Sequence, residues 1–154
     1  MGALPLGQGV WATPDLPVFT EGVQRAVALV ERSGGEVTIL TAAGRSTRDA
    51  AQFEDLFNAA RRADWLEFLS DCAKFEAELA KEIRIKKFTL AELEEEEQSL
   101  DRLRRWHRDL SVRDVFGTPE AKQAVARLKL CVAACEEYAE QVFRALHETR
   151  VDRT

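Results

Sequence analysis

The chain has 154 residues, of which 45% are apolar and 32% charged, and its formal net charge is −5. This composition is ordinary for one globular domain, or one compact domain with a helical extension, and the acidic balance excludes broad electrostatic attraction to DNA while leaving room for a local basic patch. No apolar run approaches the roughly 18 residues of a membrane span, and the N-terminus lacks both the basic region and the long apolar region of a secretory leader.

Residues 4–13 are rich in Gly and Pro around an apolar stretch, Val10-Trp11-Ala12. Gly7 and Gly9 flank Gln8, which predicts a turn or bulge between two short strands. Thr13-Pro14-Asp15 then predicts a helix start, with Asp15 capping free N–H groups and Pro17 in the first turn. Phe19, Val23, Ala26, Val27 and Val30 recur at helical spacing, so one face should be buried. Ser33-Gly34-Gly35 supplies the stop. Val37, Thr38, Ile39 and Thr41 predict a short strand. Residues 1–45 are thus β-α-β in outline.

From Ser46 onward the pattern is helical almost to the end. Ser46-Thr47-Arg48-Asp49 and Thr89-Leu90-Ala91-Glu92 both fit a capping box. Gly117-Thr118-Pro119-Glu120 is a third start signal, with Thr118 as cap and Pro119 at the first helical position. These marks predict helices over 47–86, 90–112 and 119–148, the first bent or split around Arg61 and Asp64. Apolar stripes run through Phe57, Trp65, Leu69, Cys72 and Leu79 in the first, Leu93, Leu100, Leu103 and Leu110 in the second, and Leu128, Val132, Cys135, Tyr138 and Val142 in the third. Three such helices with short connections must bury their stripes against each other, which predicts an antiparallel bundle over 46–150 packed on the front. The fold class is α+β, predominantly α.

Candidate chemistry is sparse. Glu94-Glu95-Glu96-Glu97 point around the whole circumference of a helix and cannot all meet one metal, and the residues three before His107 and His147 are arginines, so the Glu-x-x-His motif of di-iron bundles is missing. A solvated face near a helix N-terminus explains the run better. Cys131 and Cys135 share a helix face, with Cys72 elsewhere. An odd number of dispersed thiols inside apolar stripes predicts core packing in a reducing cytoplasm rather than a disulfide framework or a zinc site, with redox sensing as the minor alternative.

The sharpest cluster is Arg102, Arg104, Arg105, Arg108 and Arg113, with Trp106 and His107 interleaved. Guanidinium groups suit oxyanions because they present forked donors and stay charged. Asp101 can pair with Arg104 or Arg105, and Arg105 with Asp109, so a salt-bridged helix face is the competing explanation. Oxyanion or nucleic-acid contact is the functional alternative, with Trp106 at the edge of the core. No Ser-His-Asp signature, phosphate loop, dinucleotide fingerprint or His-Glu-x-x-His occurs, so no enzyme, cofactor or metal centre is expected.

Two stretches resemble a known family. Gly2-Ala3-Leu4-Pro5-Leu6-Gly7-Gln8-Gly9-Val10-Trp11-Ala12-Thr13-Pro14, with its continuation into a helix, Gly34-Gly35-Glu36 and a strand, resembles the N-terminal domain of chromate-resistance proteins of the ChrB type. Lys87-Phe88-Thr89-Leu90-Ala91-Glu92-Leu93, then Ser99-Leu100-Asp101-Arg102-Leu103-Arg104-Arg105-Trp106, then Arg113-Asp114-Val115-Phe116-Gly117, resembles the helical part of short actinobacterial members. The resemblance implies a ferredoxin-like front followed by helices, and a regulatory or accessory role in chromate response. Measured against that pattern, the chain is expected to lack an opening strand and helix, through either a late start or a truncated fold, and the C-terminal domain of longer relatives. Open sheet edges attract other strands, so weaker stability or self-association follows as an expectation. The candidate partners are a second copy as a homodimer, a chromate or sulfate oxyanion, and DNA. A helical protein-interaction or dimerisation module with no chromate role is the competing reading.

Overall fold

A computed structural model describes residues 2–151, with side chains described for residues 2–148. Met1, where the leader reading begins, lies outside the described residues. In chain order the elements are strands β1 (Leu4–Gly7) and β2 (Val10–Ala12) and helices α1 (Pro17–Arg32), α2 (Thr47–Arg84), α3 (Leu90–Arg113) and α4 (Pro119–Val151). The chain is predominantly helical with a small sheet at the front, as the sequence predicts.

β1 and β2 pair antiparallel, with Leu4 opposite Ala12, Pro5 opposite Trp11 and Gly7 opposite Val10, and the register slips between Pro5 and Gly7. Gln8 and Gly9 form the two-residue loop, with φ of 50° and 79°. Two successive positive φ values match the type I′ turn, whose twist suits a tight hairpin.

α1 begins at Pro17, but Leu16 rather than Asp15 occupies the cap position and no side chain caps it. It ends in a Schellman arrangement: Gly34 N donates to the Glu31 carbonyl at 2.9 Å and Gly35 N to the Val30 carbonyl at 3.0 Å, with Gly34 at φ 78°. Only Phe19 is fully buried on this helix; Val30, assigned to the buried face, is exposed. The predicted strand around Val37–Ile39 does not form. Residues 35–44 are exposed and make no ladder, because a strand exists only when a partner takes up its backbone donors and acceptors. The front among the described residues is therefore β-β-α, with one two-stranded sheet.

α2 runs unbroken for 38 residues, so it is not split near Arg61. Ser46 and Asp49 form the full reciprocal capping box. At Thr89 only half of the box forms. Its hydroxyl accepts from Glu92 N at 3.2 Å, while the Glu92 carboxylate pairs with Lys87 at 2.7 Å. α2, α3 and α4 pack on one another around Trp65, Phe68, Cys72, Leu79, Leu100, Leu110, Cys131, Tyr138 and Val142, all of them buried. Burying stripes of this kind supplies the main favourable free energy of a helical bundle. The front joins the bundle through Phe57, whose ring meets Phe19 at 5.8 Å and Phe116 at 5.7 Å, both edge-to-face.

Candidate contact face on the third helix

The five arginines do not act as one patch. With 3.6 residues per turn, Arg105 and Arg108 lie together with Asp101 and Val112 on the side of α3 opposite Leu100, Leu103 and Leu110. Arg102, Arg104, Arg105 and Arg108 are exposed, whereas Arg113 is half-buried. Arg104 is paired with Asp101 at 3.1 Å, one of the two pairings the spacing allows. Arg102 donates to the Ser99 hydroxyl at 2.9 Å, and Arg113 Nε donates to the Asp109 carbonyl at 2.9 Å. Arg105 and Arg108 have no ion-pair partner among the described residues, so the predicted Arg105–Asp109 pair does not form. Their two guanidiniums stand one turn apart, free to meet a ligand.

His107 belongs to the other side. Its ring packs 5.4 Å from Trp65 and 5.6 Å from Phe68. Burial pushes its pKa down, and its Nε2 is enclosed without a hydrogen-bond partner. Neutral and turned inward, it does not share the arginine face. The sequence carried the signal, since His107 sits four residues after Leu103 and three before Leu110. Trp106 lies at the rim of the core, edge-to-face with Phe68 at 5.4 Å.

Two polar assemblies escaped the sequence reading. At the front end of the bundle the Arg61 side chain is buried. It donates to the Gly2 carbonyl at 3.0 Å, pairs with Asp64 at 3.0 Å and lies 4.9 Å above the Phe57 ring. Burial, only partly offset by Asp64, lowers its pKa. Gly2 holds a φ of 75°, which favours glycine, and a Cβ there would fall 2.5 Å from Arg61 Nη1 and 2.6 Å from Arg113 Cδ, so a side chain would be strained and would displace both arginines. At the far end, Tyr138 donates to the Lys87 carbonyl at 2.6 Å, and Lys87 lies 3.7 Å from the buried Glu82. Glu96 is buried too, although its neighbours Glu94, Glu95 and Glu97 are exposed, which corrects the fully solvated reading of that run. Burial, reinforced by Glu78, Glu95, Glu82 and Glu92, raises its pKa.

Among the described residues no three His, Cys, Asp or Glu side chains converge to hold a metal ion, and no helix is long and apolar enough to cross a membrane. The family model described as "Protein ChrB, N-terminal" matches residues 1–149. The chain belongs to the ChrB N-terminal family. No curated protein and no solved structure shows significant similarity to it. Membership associates this ChrB N-terminal chain with chromate resistance. The match spans the hairpin, α1 and the bundle alike, so the arginine face of α3 and the Arg61 anchor both lie within the family's domain.

Proposed function

We propose that this ChrB N-terminal chain is a regulatory or accessory protein of the chromate response, without catalytic activity of its own, and that it contacts an anionic partner through α3. One observation carries this reading: Arg105 and Arg108 are exposed, adjacent and unpaired, while Arg102, Arg104 and Arg113 are engaged by groups of their own helix. Two unpaired guanidiniums one turn apart can both turn their forked donors toward one phosphate or tetrahedral oxyanion. Two tests separate those partners. Fluorescence anisotropy with duplex DNA over a salt series should show binding that weakens as salt rises and is lost in Arg105→Ala/Arg108→Ala; a flat response at low salt removes the DNA role. A sulfate- or chromate-dependent rise in melting temperature, lost in the same variant, would place the oxyanion there, and an unchanged shift would move it elsewhere.

A second reading rests on a separate observation. The front exposes Leu6, Trp11, Leu29, Ile39 and Leu40, the last at 83%. Large exposed apolar side chains on a front with open strand edges favour self-association, as in a dimerisation module. Light scattering over a concentration series decides it, and a persistent monomer removes it.

A further inference from the structure

Three thiols lie inside the bundle, two of them on residues in contact across α2 and α4. Cys72 projects from the middle of α2 and Cys131 from α4, and neither is exposed. Cys131 Sγ donates to the Cys72 carbonyl at 3.7 Å, so the two residues touch across the α2–α4 packing. Both are free. Cys135, one turn further along α4, faces α3 instead, in a groove lined by Glu97, Leu100 and Arg104. A disulfide requires two sulfurs brought together from backbones already close. Among the three cysteines, Cys72 and Cys131 are the two in contact across different helices, sulfur to backbone.

We infer that Cys72 and Cys131 form a dithiol pair that oxidises to an intramolecular disulfide, fastening α2 to α4. The oxidant is a small uncharged hydroperoxide, because neither sulfur is reachable by a bulky or charged reagent without local opening of the bundle. One sulfur, as thiolate, attacks the peroxide and breaks its O–O bond, becoming a sulfenic acid as the first water leaves. The second sulfur then displaces the sulfenic hydroxyl, which departs as a second water, and the S–S bond forms. Two thiol protons and two electrons are lost in all. The closed loop contains the whole of α3, and a cross-link over so long a loop restricts the unfolded chain more than the folded one.

The experiment treats the fully reduced chain with hydrogen peroxide, denatures it, alkylates it with iodoacetamide and digests it without reductant. The expected result is a peptide containing Cys72 linked to the one containing Cys131, an intact mass lower by two hydrogens, and alkylation at Cys135 alone. The unfolding midpoint should rise on oxidation and return with dithiothreitol. The Cys135→Ser variant should keep the link. Alkylation of all three thiols, a link through Cys135, or a link only between two chains would each overturn the inference. The wild-type peptide map decides this even if Cys131→Ser fails to fold.

Discussion

Asp114 fastens the α3–α4 connection to α2 through Trp65, whose indole N–H donates to Asp114 Oδ2 at 2.9 Å. The same oxygen accepts from Thr118 N at 3.1 Å and from the Thr118 hydroxyl at 2.7 Å. Thr118 stands just before α4 as predicted, and its hydroxyl is spent as a donor to Asp114. Three donors on one carboxylate oxygen replace a share of its hydration inside a half-buried turn. Asp114→Ala leaves a buried indole N–H without a partner and should cost about 2–3 kcal/mol, read as a lower urea midpoint. Asp114→Asn keeps an acceptor in place and should cost less.

Lys86 holds a positive φ of 55° where α2 ends. Lys87 N donates to the Glu82 carbonyl at 3.0 Å and Lys86 N to the Ile83 carbonyl at 3.1 Å, the same arrangement that Gly34 completes without strain at the end of α1. A non-glycine residue in that conformation is disfavoured. Lys86→Gly should therefore stabilise the chain by about 1 kcal/mol, measured by chemical denaturation at unchanged slope.

Glu96 gives the protein a pH dependence whose sign follows from its raised pKa. A carboxyl whose folded-state value lies above its unfolded value binds its proton more tightly when folded. Its contribution is fully present below the ordinary glutamate range and is lost as pH rises through the folded value. Glu96→Gln should remove that loss, so the advantage of the variant over wild type grows from pH 4 to pH 7. An advantage independent of pH would show that Glu96 is ionised at no cost.

Burial, with Glu97 and Glu96 nearby, pushes the Cys135 thiol up to about 11. At pH 8.5 the thiolate fraction is therefore small, and native-state alkylation of Cys135 by iodoacetamide should be much slower than that of free cysteine. Rapid labelling would contradict the packing seen between α3 and α4.

Phe57 is fully buried between Phe19 and Phe116. Phe57→Ala should cost about 3–5 kcal/mol. Phe19→Ala should act differently. It detaches α1 while the bundle keeps its cooperative transition, and the readout is faster proteolysis within 33–46 at a nearly unchanged melting temperature. Arg105→Ala and Arg108→Ala should change stability by less than about 0.5 kcal/mol, which keeps binding tests on them interpretable.

The helices were legible because their ends are written locally. Ser46, Thr89, Pro119 and Gly34 each act through backbone groups within a few residues, and periodicity carried the stripes. What was not legible depends on distant partners. Arg61 and Asp64 inside α2 look like a break in an apolar stripe until Gly2 is seen to fold back onto them. Val37 and Ile39 have strand propensity, but nothing in their neighbourhood reveals that no partner edge is at hand. Glu96 and His107 are intermediate cases. Both sit at stripe positions, Glu96 between Leu93 and Leu100 and His107 between Leu103 and Leu110, yet charge identity and flanking arginines drew them to the surface in a reading by composition.

The length of α2 bears on how the protein behaves in solution. At about 1.5 Å of rise per residue, its 38 residues run roughly 57 Å along the helix, nearly four times the radius of gyration of about 15 Å for a compact chain of this size. A body lengthened by such a helix tumbles and sediments more slowly than a sphere of equal mass and leaves a gel-filtration column early. A single copy will therefore mimic a heavier species by elution volume, and only mass-resolved methods can count the copies.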